Sequence, residues 1–283
     1  MTVSSWSELG EAARGAVEPV ANRWSGFAAK VRGRAREVTE EAEAGLDEVV
    51  AADPVHVNAI ATAFSAVKSR FQGLQAKVSE AEEKLSIDWD EAVGQADLDD
   101  KDVERVGSLW TRIVDDSRAL QRELERDGEL ICIKKNADWA RQLQRLAQKE
   151  WQKPRLCGGC KAELVVTQRH GASSVTCRFC GAVNDVTLGA ATGLFYQGSG
   201  VDSLAAEASR EEWIAQLDAE RRFSDLREPT PADRDRYLDA VRAYWTTYYR
   251  FVARLNPGFN RTVEQAVAAR MLFAEQWANN AMR

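Results

Sequence analysis

The chain has 283 residues, 45% of them hydrophobic, and a formal net charge of −6. That length and apolar content support two or three domains, each with its own core, while the acidic balance argues against a general nucleic-acid binder. No run of about 18 uncharged apolar residues occurs, nor an apolar N-terminal stretch with basic flanks, so membrane spanning and secretion are not expected and the cytoplasm is the expected location.

The N-terminal half reads as long helices. Val20, Trp24, Phe27, Val31, Ala35, Val38, Ala42, Leu46 and Val49 recur with a period close to 3.6, and Pro19 sits where proline opens a helix more readily than it interrupts one. Asp53-Pro54 reads as a carboxylate cap followed by proline in the first helical position. The next helix carries Val57, Ile60, Phe64, Val67, Phe71, Leu74, Val78, Ala81 and Leu85, whose steps alternate between three and four residues. This is a heptad seam, and two such helices joined around Ala51-Ala52-Asp53 should fold back as an antiparallel hairpin. A third seam, Val103, Val106, Trp110, Ile113, Ser117, Leu120 and Leu124, would complete a three-helix bundle or coiled coil that ends at Asp127-Gly128. Asn136 then caps a shorter basic helix with Trp139, Leu143, Leu146 and Trp151, stopped by Pro154.

Charge falls in blocks. Arg23, Lys30, Arg32, Arg34 and Arg36 precede the acids of residues 37–53, an order opposed to the helix dipole. Beside Trp24 and Phe27 these bases suit a membrane-surface helix, or an amphipathic helix facing an acidic neighbour. Residues 80–104 hold eleven acids. Within them Asp97-x-Asp99-Asp100-x-Asp102 lacks the glycine and the distant glutamate of a calcium loop, which leaves a solvated acidic connector. Lys134, Lys135, Arg141, Arg145, Lys149, Lys153 and Arg155, followed by Lys161, Arg169 and Arg178 and interleaved with Trp139, Trp151 and Phe179, form the best nucleic-acid candidate.

Of the five cysteines, Cys132 lies in Leu130-Ile131-Cys132-Ile133 and reads as a small buried apolar residue. The other four read Cys157-Gly158-Gly159-Cys160 and, after sixteen intervening residues, Cys177-Arg178-Phe179-Cys180. Two C-x2-C pairs at this separation can close tetrahedrally around one Zn²⁺. Gly159 and Gly181 are placed to take the positive φ that cysteine turns often need. Ala162–Thr167 and Ser173–Thr176, joined through Arg169-His170-Gly171-Ala172, read as a short hairpin between the pairs. A closed four-thiolate site has no open coordination position and serves as a structural staple. A Cys157–Cys160 redox pair is the minor alternative.

From Leu156 to Val186 the chain resembles the small bacterial zinc-ribbon modules, with their two knuckles and a Gly-Ala-x-Ser-Val-x-Cys approach, here Gly171-Ala172-Ser173-Ser174-Val175-Thr176-Cys177. The resemblance covers about a tenth of the chain and implies four thiolate ligands, Cys157, Cys160, Cys177 and Cys180. Rubredoxins share that architecture and bind iron, but Arg178 stands where they usually carry proline. Zinc is therefore expected over iron.

Beyond the ribbon, Gly189 to Gly200 reads as a flexible connector. Ser209-x-x-Glu212, Thr230-Pro231-Ala232-Asp233 and Thr262-x-x-Gln265 each mark a helix start, the first as a capping box. Tyr244, Trp245, Tyr248, Tyr249 and Phe251 crowd adjoining faces of one of these helices, as a core or as a partner surface.

The expected architecture is mainly α. A long-helix bundle at 1–128 leads through a basic helix at 129–153 to a zinc ribbon at 154–188. A glycine-rich connector at 189–201 and a C-terminal helical domain at 202–283 follow. His56 and His170 are the only histidines, and neither a phosphate-cradling loop nor a nucleophile–base arrangement occurs, so catalysis is not expected. The functional expectation is a scaffold or adaptor acting through protein–protein contacts, with homo-oligomerisation open. Nucleic-acid association through the basic helix and ribbon is the second reading, and membrane-surface docking the third.

Overall fold

The computed structural model describes residues 9–166, 173–187 and 189–282. The expected ribbon turn at Arg169–Ala172, with His170, lies outside them. Among the described residues, eight helices and one small sheet follow in the order α1 (Glu11–Ala52), α2 (Val57–Gln95), α3 (Asp100–Gln152), β1 (Ser173–Thr176), β2 (Val183–Val186), α4 (Ala190–Tyr196), α5 (Gly200–Ala208), α6 (Arg210–Ser224), α7 (Pro231–Leu255) and α8 (Val263–Ala281). The protein is mainly α with a small β insert. Among the described residues, no helix is long and apolar enough to cross a membrane. Two compact units are formed, one by the chain up to Val49 with Asn58–Cys132, the other by Val50–Val57 with Ile133–Arg283.

In the first unit, side-chain contacts define the directions of the three long helices. Arg23 meets Asp88 and Arg70 meets Glu41, so α1 and α2 run antiparallel. Trp89 packs on Trp110 at 5.4 Å and Lys68 bonds Glu129 at 2.7 Å, so α2 and α3 also run antiparallel. Trp24 Nε1 donates to Asp116 at 2.7 Å and Arg32 Nε to Glu123 at 3.0 Å, which makes α1 parallel to α3. The expected seams are buried inside this arrangement: Ile60, Phe64, Val67, Phe71, Leu74, Val78 and Leu85 from α2, and Val106, Ile113, Ser117, Leu120 and Leu124 from α3. Val103 is exposed instead, and Trp89 is buried. On α1, Ala21, Ala28, Ala35 and Ala42 are buried at seven-residue spacing, and such small side chains let neighbouring helices approach closely.

Several local signals give way to packing. Pro19 lies inside α1 rather than at its start. Leu9, Ala13 and Val17 are buried ahead of it, and this apolar face carries the helix through a residue that lacks one donor. Asp53-Pro54 forms the turn between α1 and α2, where Asp53 Oδ1 accepts from the Val55 amide at 3.0 Å, and α2 begins only at Val57. The chain does not break at Asp127-Gly128, nor does Asn136 start a new helix, since α3 is continuous for 53 residues. A Cβ on Gly128 would lie 3.0–3.2 Å from the Phe71 side chain, so this glycine admits a ring rather than ending a helix. The reversed charge order of α1 is explained by partners on other helices, with Arg23 and Arg32 paired to acids of α2 and α3. The acids at 97–102 open α3: Asp99 Oδ1 accepts from the Asp102 amide at 2.8 Å.

In the second unit α7 packs against α5, α6 and α8. One core cluster there is Phe223, Tyr237, Leu238, Val241, Val267, Met271, Ala274 and Ala278. Thr230 and Thr262 make reciprocal capping boxes with Asp233 and Gln265. Ser209 does not: its buried hydroxyl donates back to the Ala205 carbonyl at 2.8 Å. The aromatic cluster is half-buried core, with Tyr248 donating to Asp202 at 2.9 Å and the Arg270 guanidinium 4.5 Å above the Trp245 ring. Residues 189–200, expected as a connector, contain the helix α4. Glu150 of α3 caps α4 by accepting from the Thr192 amide at 3.0 Å and its hydroxyl at 2.6 Å. Cβ atoms on Gly189, Gly198 and Gly200 would collide with Glu150, Leu194 and Phe195 at 2.1, 2.6 and 2.7 Å.

The two glycines of α3 separate packing from propensity. Gly107 faces open space, so Gly107→Ala should stabilise the fold by roughly 0.5–1 kcal/mol. Gly128→Val should destabilise it by about 1–3 kcal/mol through overpacking against Phe71. Urea unfolding followed by circular dichroism measures both.

Candidate metal centre

The four cysteines expected as ligands converge. Their Sγ atoms lie within 4.8 Å of one another, with Cys157–Cys180 and Cys160–Cys177 both at 3.6 Å. Sulfurs at the corners of a tetrahedron with metal–sulfur bonds of about 2.3 Å are about 3.8 Å apart. The cluster therefore has the size of a four-thiolate metal site, and among the described residues it is the one His/Cys/Asp/Glu group placed to hold a metal ion. Cys157 and Cys177 are buried, while Cys160 and Cys180 face outward.

The two knuckles repeat one backbone motif at an offset of twenty residues. The Cys157 amide donates to the Ala162 carbonyl at 2.8 Å and the Lys161 amide to the Cys157 carbonyl at 3.0 Å. The Cys177 amide donates to Ala182 at 2.8 Å and the Gly181 amide to Cys177 at 2.9 Å. Each loop leaves through a residue in the left-handed region, Gly181 at φ 73° and Lys161 at φ 61°. The expectation held for Gly181 but not for Gly159. The residue after the second cysteine is the one that turns, and the first knuckle imposes that conformation on a lysine.

Strand pairing also differs from expectation. Among the described residues, Ser173–Thr176 pairs antiparallel with Val183–Val186, so the sheet encloses the second knuckle instead of linking the two. Around the first knuckle a single antiparallel bridge, Leu156 with Glu163, takes the same place. In both cases chain flanking a C-x2-C turn closes on itself, because the turn already brings those flanks together.

Asn184, absent from the sequence expectations, ties the knuckles together. Its Oδ1 accepts from the Gly158 amide at 2.8 Å, and its Nδ2 donates to the Ala182 carbonyl at 2.9 Å and approaches Cys157 Sγ at 3.6 Å. An asparagine in the middle of a strand otherwise made of Val183, Asp185 and Val186 was the available signal, since strands disfavour it without a side-chain role.

Electrostatics follow from these donors. The amide of Cys160, then that of Gly159 and the Asn184 side chain, hold the Cys157 thiol down to about 6 against the opposing effect of burial. The amides of Cys180 and Phe179 lower Cys177 as well. At Cys160 the Ala162 amide pulls downward, but the neighbouring cysteines and burial outweigh it and push the thiol up to about 11. Four sulfurs this close cannot all ionise unless a cation balances them. Burial pushes Cys132 up to about 11, leaving it a neutral apolar side chain.

Asn184→Ala should lower metal affinity by roughly 10–100-fold, the usual cost of losing an outer partner of a ligand. Lys161→Gly should retain the metal and stabilise the fold by about 1 kcal/mol by relieving the left-handed lysine. Competition with a chromophoric chelator, paired with thermal unfolding, checks both. Comparison with known proteins finds no matching family model, no matching curated protein and no matching solved structure.

Proposed function

We propose that the chain is a non-enzymatic adaptor that works through protein–protein contacts and carries one structural zinc in a ribbon. The observation that carries this reading is the imbalance of the ribbon's apolar surface. Among the described residues its buried ones are Cys157, Leu164 and Cys177, with small or half-buried neighbours such as Val166 and Val175 packed on them, while Leu156, Val165, Phe179 and Val183 are 58–68% exposed. A module this small cannot fold on such a core, so the metal supplies the stability. Its large side chains are left outside, where they suit a protein partner. Zinc fits the all-thiolate tetrahedral donor set, and four protein ligands leave no position for hydrolytic chemistry.

The long helices enter differently from what their seams suggested. Those seams are spent on packing within the chain, so partner recognition falls to the exposed charge and to the ribbon surface. Nucleic-acid association through the basic part of α3 is weakened as a reading by Arg141, which pairs with Asp138 and with Glu207. Membrane docking through α1 is weakened in the same way, because Arg23, Arg32 and Arg34 all have carboxylate partners.

Freshly isolated protein should contain one zinc per chain by mass spectrometry under native conditions, and Cys157→Ser or Cys177→Ser should lose it. Affinity capture from cell extract should yield the same protein partners with and without nuclease. Phe179→Ser with Val183→Ser should release them while helicity and zinc content stay unchanged. Iron in place of zinc, or partners that vanish with nuclease, would overturn the reading.

A further inference from the structure

Two adjoining cavities flank Trp151, where α3 gives way to the ribbon. One, of about 460 Å³, is lined on the α3 side by Gln144, Gln148, Trp151 and Gln152 and across from them by Val166 and Tyr196. The glutamines stand at i, i+4 and i+8, which places three uncharged amides in a row along one helix face. The other cavity, of about 420 Å³, shares Trp151, Gln152 and Val166 and is lined by Lys153, Arg155 and Arg178 against a single acid, Glu163. Both volumes fall in the range of small-ligand sites.

The chemistry of the two halves differs and is complementary. The first offers an indole, a phenol and a row of amides that both donate and accept hydrogen bonds, and it has no charge. That set suits a flat heterocycle with mixed donors and acceptors on its edge. The second has two net positive charges, supplied by groups that bind phosphate, with arginine suited to bidentate contact. The Arg155 guanidinium is drawn in beside the Glu150 carbonyl at 3.5 Å, and Arg178 lies over the exposed Phe179 ring at 4.9 Å.

We infer that this cleft binds a nucleotide, its base against Trp151 and the glutamine row and its phosphate among Lys153, Arg155 and Arg178. An acidic peptide would satisfy the cations, and its backbone could meet the amides, but acidic side chains offer no flat face to the Trp151 indole and the Tyr196 phenol, so the nucleotide is favoured. The inference is independent of the adaptor reading. It uses basic residues just after α3 and on the ribbon, not the paired Arg141.

The test uses the zinc-loaded full chain, titrated calorimetrically with AMP and, by fluorescence anisotropy, with a labelled short single-stranded oligothymidylate. Saturable binding of AMP identifies a free nucleotide as the source of the ligand chemistry, and binding of the oligonucleotide alone identifies a nucleotide within a strand. Trp151→Ala should weaken the binding by roughly tenfold or more, the loss of one stacked base. Lys153→Gln should reduce the slope of log affinity against log salt by about one, as expected for a single phosphate contact. Gln148→Leu should weaken binding without changing that slope, and because it lies on a helix surface it keeps the test valid if Trp151→Ala fails to fold. Absence of saturable binding by both probes would overturn the inference. So would affinities unchanged in Gln148→Leu and Lys153→Gln, or equal competition by an oligoglutamate peptide.

Discussion

Four sulfurs held within 4.8 Å of one another set the constraint around which the β insert is organised. Negative charge accumulates as the thiols ionise, and in a partly buried site each ionisation makes the next harder. The backbone answers part of this, because amides in each knuckle aim at the inner cysteine and hold Cys157 and Cys177 low. They cannot answer all of it, and Cys160 pushed up to about 11 marks the remainder. A divalent cation would remove that remainder and at the same time link two turns that share only a small core. Asn184 does the corresponding mechanical work, bonding the first knuckle through Gly158 and the second through Ala182.

The helical parts obey a different rule, in which burial overrides local preference. Pro19 sits within α1 and Gly128 within α3. Proline and glycine each oppose a helix interior by known amounts, yet continuous apolar faces and, at Gly128, the fit of Phe71 outweigh them. The crossed charges are a matter of register more than of stability. Pairs such as Arg23–Asp88 and Lys68–Glu129 are substantially exposed, and each contributes only about 0–1 kcal/mol. Their value lies in disfavouring shifted or reversed alignments of three helices with similar seams.

Much of this was legible in the sequence, and the failures have a common cause. Periodicity located α1, α2 and most of α3 because a long seam averages over many residues, and the C-x2-C spacing identified all four converging cysteines. Ends were misread wherever a glycine or proline has a tertiary reason: Gly128 admits Phe71, and Gly189, Gly198 and Gly200 admit Glu150, Leu194 and Phe195. Ser209 does stand at the N-cap of α6, but it makes no capping box: its hydroxyl is buried beside the Ala205 carbonyl, which the pattern Ser-x-x-Glu does not reveal. Inside the ribbon, the β-branched residues were recognised but paired with the wrong partners, since alternation marks a strand without naming its neighbour. Asn184 was missed for a related reason. Its role depends on a backbone amide 26 residues away, and local sequence carries only the oddity of an asparagine inside a short strand.

The measurement that tests the account most directly is X-ray absorption at the zinc edge on protein isolated without added metal. A closed four-thiolate centre predicts four sulfur scatterers at about 2.3 Å and no oxygen or nitrogen in the coordination shell. A lighter ligand replacing a sulfur would contradict it, because an open position would make the centre something other than a structural staple. Absence of a zinc edge in the isolated protein would contradict it equally.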